Sequence, residues 1–181
     1  MADTSESAQT AELVDLVVAG YDGSDESATA VRWAAQIARR NSSALRVVWI
    51  WQICDVWDEA IAARHDVEVP SITELEDIAR RRFTEVVNRL VAGLVPHVDL
   101  HMDRGPDSAG LLLRAAADAD ILVVGSRGRG RVATALLGSV SARCIHEATC
   151  PVLVIPHQMA IPPQGRVAGR SRTSGPSENR A

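Results

Sequence analysis

Apolar residues along this chain fall into two kinds of spacing, and the two kinds alternate. Short continuous runs occur at "LVDLVVAG" (13–20), "ALRVVWIW" (44–51), "ADILVVG" (119–125) and "PVLVIP" (151–156). Runs of this length, rich in Val, Ile and Leu and bounded by turn residues, predict strands buried on both faces. "HVDLHM" (97–102) instead alternates strictly, with Val98, Leu100 and Met102 on one side. That alternation predicts a half-exposed strand at a sheet edge.

Helical spacing fills the intervals. Ala28, Val31, Ala35 and Ala38 form one stripe, with Ser24 as cap and Asp25 and Glu26 in the first turn. Leu75, Ile78, Phe83, Val86 and Leu90 form a second, for which Thr73 and Glu76 offer a capping box. Leu111, Leu112, Ala115 and Ala116 make a third stripe, and Val140, Cys144 and Ala148 a fourth. Residues 52–72 lack a clear period and predict a loop with at most a helical turn.

Strands alternating with helices predict a parallel sheet covered on both faces through right-handed crossovers. The expected fold class is α/β: a Rossmann-like (flavodoxin/HUP-type) sheet of five parallel strands in the order 3-2-1-4-5. Residues 13–157 form the single domain expected. Residues 1–12 and the Arg-, Pro-, Gly- and Ser-rich 158–181 are expected to be disordered tails, because such composition buries too little surface to offset ordering entropy.

Composition narrows the function. The net charge of −4 gives no general attraction to nucleic acid. All 19 basic residues are arginine, which excludes a Walker A lysine or a Schiff base. Cys54, Cys144 and Cys150 show no ligand-like spacing. The polar, acidic start "MADTSESAQTAE" is unlike a signal peptide, and no apolar run approaches the length of a membrane span. A cytoplasmic protein with no membrane partner is expected.

Candidate chemistry concentrates in "GSRGRGRVATALLGSVS" (125–141), directly after the strand ending at Val124. Gly125, Gly128 and Gly130 would let a phosphate approach the backbone, or would simply make a flexible turn. Gly138 and Ser139 begin the next helix, whose free N–H groups make an anion site. Arg127, Arg129 and Arg131 add charge. "GRGRVA" (128–133) fits a dinucleotide fingerprint, but the strand after it, "PVLVIP", is followed by His157 and offers no acid for the ribose. NAD is therefore excluded. Asp22, in "GYDGSDES" (20–27), either binds ribose hydroxyls or closes an Asx turn. In the order 3-2-1-4-5 the ligand crevice lies between strands 1 and 4, which carry Asp22 and the glycine loop. His97, Asp99 and His101 could hold a metal, although the polar face of an edge strand explains them more simply. Cys144 reads as a core residue and the tryptophans near 49–57 as packing.

Gly125, Gly128, Gly138 and Ser139 are spaced Gly, two residues, Gly, nine residues, Gly, Ser. With the flanks "ADILVVGSRGRG" and "LLGSVSARCIHEATCPVLVIP" and the early "VVAGYDGSDES", residues 14 to 156 resemble a universal stress protein of the ATP-binding subgroup. The resemblance implies that Asp22 holds the ribose and that the backbones of Ile50 and Val124 flank the adenine. Gly125, Gly128, Gly138, Ser139 and Val140 would hold the phosphates, beside Arg127 and with a magnesium ion. It also implies a homodimer through the last strand, at Val152, Leu153, Val154 and Ile155. A stress-response or signalling module with little or no hydrolysis is expected. Binding of cyclic AMP or AMP, and slow ATP hydrolysis, stay open, as does the downstream protein partner.

Overall fold

A computed structural model describes residues 14–57, 70–128, 137–156 and Met159. Residues 1–12, all of 158–181 except Met159, the centre of the irregular 52–72 region, and Arg129, Gly130 and Arg131 lie outside the described residues.

The strands are β1 (Leu16–Tyr21), β2 (Ala44–Trp51), β3 (Asp99–Arg104), β4 (Ile121–Gly125) and β5 (Val152–Ile155). They form one parallel sheet in the expected order β3-β2-β1-β4-β5. The helices are α1 (Asp25–Asn41), α2 (Ile72–Val91), α3 (Ser108–Ala115) and α4 (Ser139–Glu147). A 3-10 turn at Ile53–Asp55 is the described start of the irregular region.

Side-chain alternation divides the core into two layers. Val17, Ala19, Val47, Trp49 and Val123 face one side, under Ala30, Ala34 and Ala38 of α1 and Leu75, Phe83 and Val87 of α2. Val18, Val48, Leu122 and Val124 face the other, against Leu112, Ala116 and Cys144 of the α3–α4 layer. Tyr21, Trp49 and Phe83 pack ring to ring in the first layer, with centroids 5.5 to 6.1 Å apart. Trp49 and Trp51 are core packing as expected, whereas Trp57 is exposed.

Two local expectations shift. The box that opens α2 is Ser71 with Glu74, not Thr73 with Glu76: the Glu74 N–H donates to Ser71 Oγ, and the Glu74 carboxylate accepts from the Ser71 N–H. Both pairs fit the same pattern, and the earlier one adds helix before the first buried residue, Leu75. The buried stripe accordingly runs Leu75, Ala79, Phe83, Val87, Val91, one position off Val86 and Leu90. His97 precedes β3, and Asp99 accepts from Arg46 Nε at 2.8 Å. Among the described residues no group of three side chains is arranged to hold a metal.

Candidate functional site

Between the carboxyl ends of β1 and β4, where the sheet's connections diverge to opposite faces, a cleft of about 360 Å³ opens. The described residues that the sequence singled out for the ligand line it: Asp22, Ile50, Val124, Gly125, Arg127, Gly128, Gly138, Ser139 and Val140. The sheet order brings them together from two strands, β2 and β4, two loops and the start of α4.

The β1–α1 turn is built around Asp22. Gly23 takes φ +87°, a left-handed conformation that glycine adopts without steric cost. Asp22 Oδ1 accepts from the Ser24 N–H at 3.0 Å and from Ser24 Oγ at 2.6 Å. Ser24 Oγ in turn caps α1 by accepting from the Ser27 N–H. Asp22 therefore closes an Asx turn and lines the cleft at once. Its second oxygen lies where a Cβ on Gly128 would stand. A side chain at 128 and the Asp22 carboxylate cannot share that space. Gly125 is similarly close-packed, its absent Cβ lying 3.1 Å from backbone atoms of Glu26 and Arg127.

Helix ends decide the electrostatics. Ser24, Ser71 and Asp107 cap α1, α2 and α3 with their own side chains. At α4 the cap position is Gly138, which brings no side chain. The first N–H groups of α4 therefore lack a side-chain cap at the positive end of the helix dipole, and they open into the cleft. Ser139 lines the cleft as the first residue of that helix. Among the described lining residues Arg127 is the cation, set against the carboxylates of Asp22 and Asp55.

Several contributors were not singled out in the sequence. Ser126 and Ser141 are buried, and the Ser126 carbonyl accepts from the Gly138 N–H at 2.8 Å and from Ser141 Oγ at 3.0 Å. The Ser126 N–H donates to the Ile155 carbonyl at 2.8 Å. The start of the glycine loop is thus tied to β5, and its end is tied to its start. Gly20, Val48 and Leu112 supply apolar floor, Leu112 Cδ2 lying 3.0 Å from the position a Cβ on Gly20 would take. The repeated serine of "GSVS" was a visible signal for Ser141, whereas Leu112 gave none, since its stripe marks any core helix.

Residues 14–156 match the sequence profile of the universal stress protein family. A universal stress protein of Mycobacterium tuberculosis is 32% identical over 156 residues, covering 78% of this chain and 48% of that protein. One from Thermus aquaticus is 30% identical over 145 residues, covering 77% of this chain and 96% of that protein. The chain thus spans about half the length of the mycobacterial relatives it matches. The crystal structure of a universal stress protein in complex with cAMP superposes with a TM-score of 0.56 at 27% identity, covering 80% of this chain and 98% of that one. The hypothetical protein MJ0577 has the same fold, with a TM-score of 0.63 at 18% identity over 82% of this chain and 99% of that one.

Proposed function

The chain belongs to the universal stress protein family, and from that premise we propose that its cleft binds an adenine nucleotide, with ATP as the ligand. The observation that carries this reading is the α4 N-terminus, the helix end without a side-chain cap, opening beside a glycine loop in which a Cβ at 128 would collide. Backbone N–H groups and a helix dipole at a close-approach loop are what a phosphate requires. Gly125, Gly128, Gly138, Ser139 and Val140 hold the phosphates, with Arg127 adding charge. Asp22 holds the ribose, and the backbones of Ile50 and Val124 flank the adenine. A cleft of about 360 Å³ lies within the usual range for small-ligand sites.

A magnesium ion fits as a companion of the triphosphate and not as a resident of the protein. One oxygen of Asp22 is committed to Ser24, and magnesium is commonly held by one or two carboxylates plus substrate phosphates and water. Bound there, it would neutralise phosphate charge beside Asp22 and Asp55.

The protein acts as a stress-response or signalling module with little or no hydrolysis. It contains no lysine, and among the described lining residues the carboxylates are Asp22, assigned to the ribose, and Asp55, with no histidine to serve as base for an attacking water. Slow hydrolysis aided by Arg127 is the limit of its catalysis. Cyclic AMP is the second candidate ligand, favoured by the neighbour whose structure was determined with cAMP. The protein is taken to work in the cytoplasm, and no helix among the described residues is long and apolar enough to cross a membrane. Homodimerisation runs through β5. Its sequence VLVI is apolar throughout, and among the described strands it pairs only with β4, leaving an edge that calls for a partner.

Calorimetric titration of ATP, then of cyclic AMP in competition, tests the ligand. Wild type is expected to bind ATP, and Gly125→Ala with Ser139→Ala to weaken it at least about tenfold, by crowding the loop and removing a donor. Absence of nucleotide binding in the wild type defeats this reading. Turnover at roughly 1–100 per second, the range of kinases, defeats the non-catalytic part.

A further inference from the structure

We propose that the Asp107–Arg143 ion pair is a strut that fixes the width of this cleft, making Asp107 and Arg143 positioning residues for its ligand; the proposal rests on the nucleotide reading above. One wall of the cleft is α3, through Ser108 and Leu112, and the facing wall is the first turn of α4, through Ser139, Val140 and Ser141. The strut crosses between these two helices. Arg143 Nη1 donates to Asp107 Oδ1 at 2.6 Å.

Each end of the strut is anchored in its own helix. Asp107 caps α3, and the same Oδ1 accepts from the Gly110 N–H at 3.0 Å. A Cβ on residue 110 would overlap the Asp107 carboxylate, which would have to shift to make room. The Gly110 N–H and the Arg143 charge hold the Asp107 carboxyl below the usual carboxylate range. At the other end, Arg143 Nε donates to both carboxylate oxygens of Glu147, one helical turn on, at 2.9 and 3.0 Å.

Leu112, Ala116 and Cys144 pack the inner part of the seam between the two helices. Outside them a second cavity of about 330 Å³ opens beside the strut, lined by Gly110, Leu113, Ala117, Arg143, Glu147 and Cys150 among others. With the cleft on one side and a cavity on the other, the ion pair ties the outer ends of the two helices together, beyond the packed seam. An exposed pair contributes little to global stability. Its loss is read in ligand affinity instead.

The test titrates adenosine, an uncharged probe, and ATP into wild type, Asp107→Asn, Arg143→Gln and the double variant, at low and high salt. Thermal unfolding is followed in parallel. Asparagine at 107 keeps a cap acceptor while removing the charge. Each single change is expected to weaken adenosine binding about threefold, in line with exposed ion pairs, and the double change no further. Salt is expected to weaken adenosine binding in wild type and not in the variants, because only wild type has the ion pair to screen. Arg143→Lys restores part of the affinity. Unchanged affinity, additive losses, or losses that merely follow the melting temperature overturn the strut. If wild type binds no nucleotide, the functional reading fails by itself. Amide exchange at Leu111 and Leu112 then decides: faster exchange in Arg143→Gln supports the strut, and equal exchange overturns it.

Discussion

At the scale of single residues, the glycines of the loop are not equivalent. A methyl at 128 displaces the Asp22 carboxylate, while one at 138 meets its nearest atom at an ordinary 3.4 Å. Gly128→Ala is therefore expected to weaken ATP binding about tenfold or more and to cost roughly 1–3 kcal/mol of stability, as overpacking does. Titration and chemical denaturation check both numbers. Cys144 gives a second expectation. Burial first of all, then the nearby Glu147 and Cys150, push its thiol from 9.0 up to about 11 despite the Arg143 charge. Between those values the unfolded chain loses the proton that the folded chain keeps, so stability falls as pH rises through that window. In Cys144→Ala the part of this decline owed to Cys144 disappears, and melting curves from pH 8 to 11 should show a shallower slope. In the native protein, thiol-directed alkylation is expected at exposed Cys54 and not at Cys144.

At the scale of elements, helix starts separate structural from functional roles. Ser71→Ala is expected to cost about 1 kcal/mol and Thr73→Ala much less, since Ser71 is the cap of α2. Sequence could not choose between them, because "SITELE" contains two overlapping copies of the same capping pattern. The choice rests on where Leu75 must fall against the sheet, which is a tertiary fact. At α4 the logic reverses. Gly138→Asp supplies a carboxylate for the first N–H groups and is expected to raise the melting temperature while lowering ATP affinity at least about tenfold. Stability gained with binding lost would show that those groups are reserved for an anion. A loss of both would place the role of Gly138 in backbone shape.

At the scale of the whole molecule, the strand order was legible because the buried runs are short, apolar and separated by helical spacing. The crevice followed from the order, and with it the meeting of Asp22 and the glycine loop. What was not legible depends on contacts between distant parts of the chain: Ser126 with Ser141, Leu112 over Gly20, and Arg143 with Asp107. None of these pairs has a spacing that sequence alone can mark. The β5 edge leads to an assembly test: light scattering of wild type should report a dimer, and Val154→Arg, which sets a charge in the apolar edge, a monomer. A wild-type monomer at micromolar concentration removes the dimer.

The pinning of the glycine loop also bears on how such a protein changes over time. The Gly138 N–H meets the Ser126 carbonyl at 2.8 Å, so the chain between them leaves the end of β4 and returns to the start of α4 at one point. Lengthening a loop whose ends are already joined adds only slowly to its closure entropy. Added length between them is consequently expected to cost the scaffold little melting temperature, whereas Gly128, whose missing Cβ leaves room for the Asp22 carboxylate, is held to glycine.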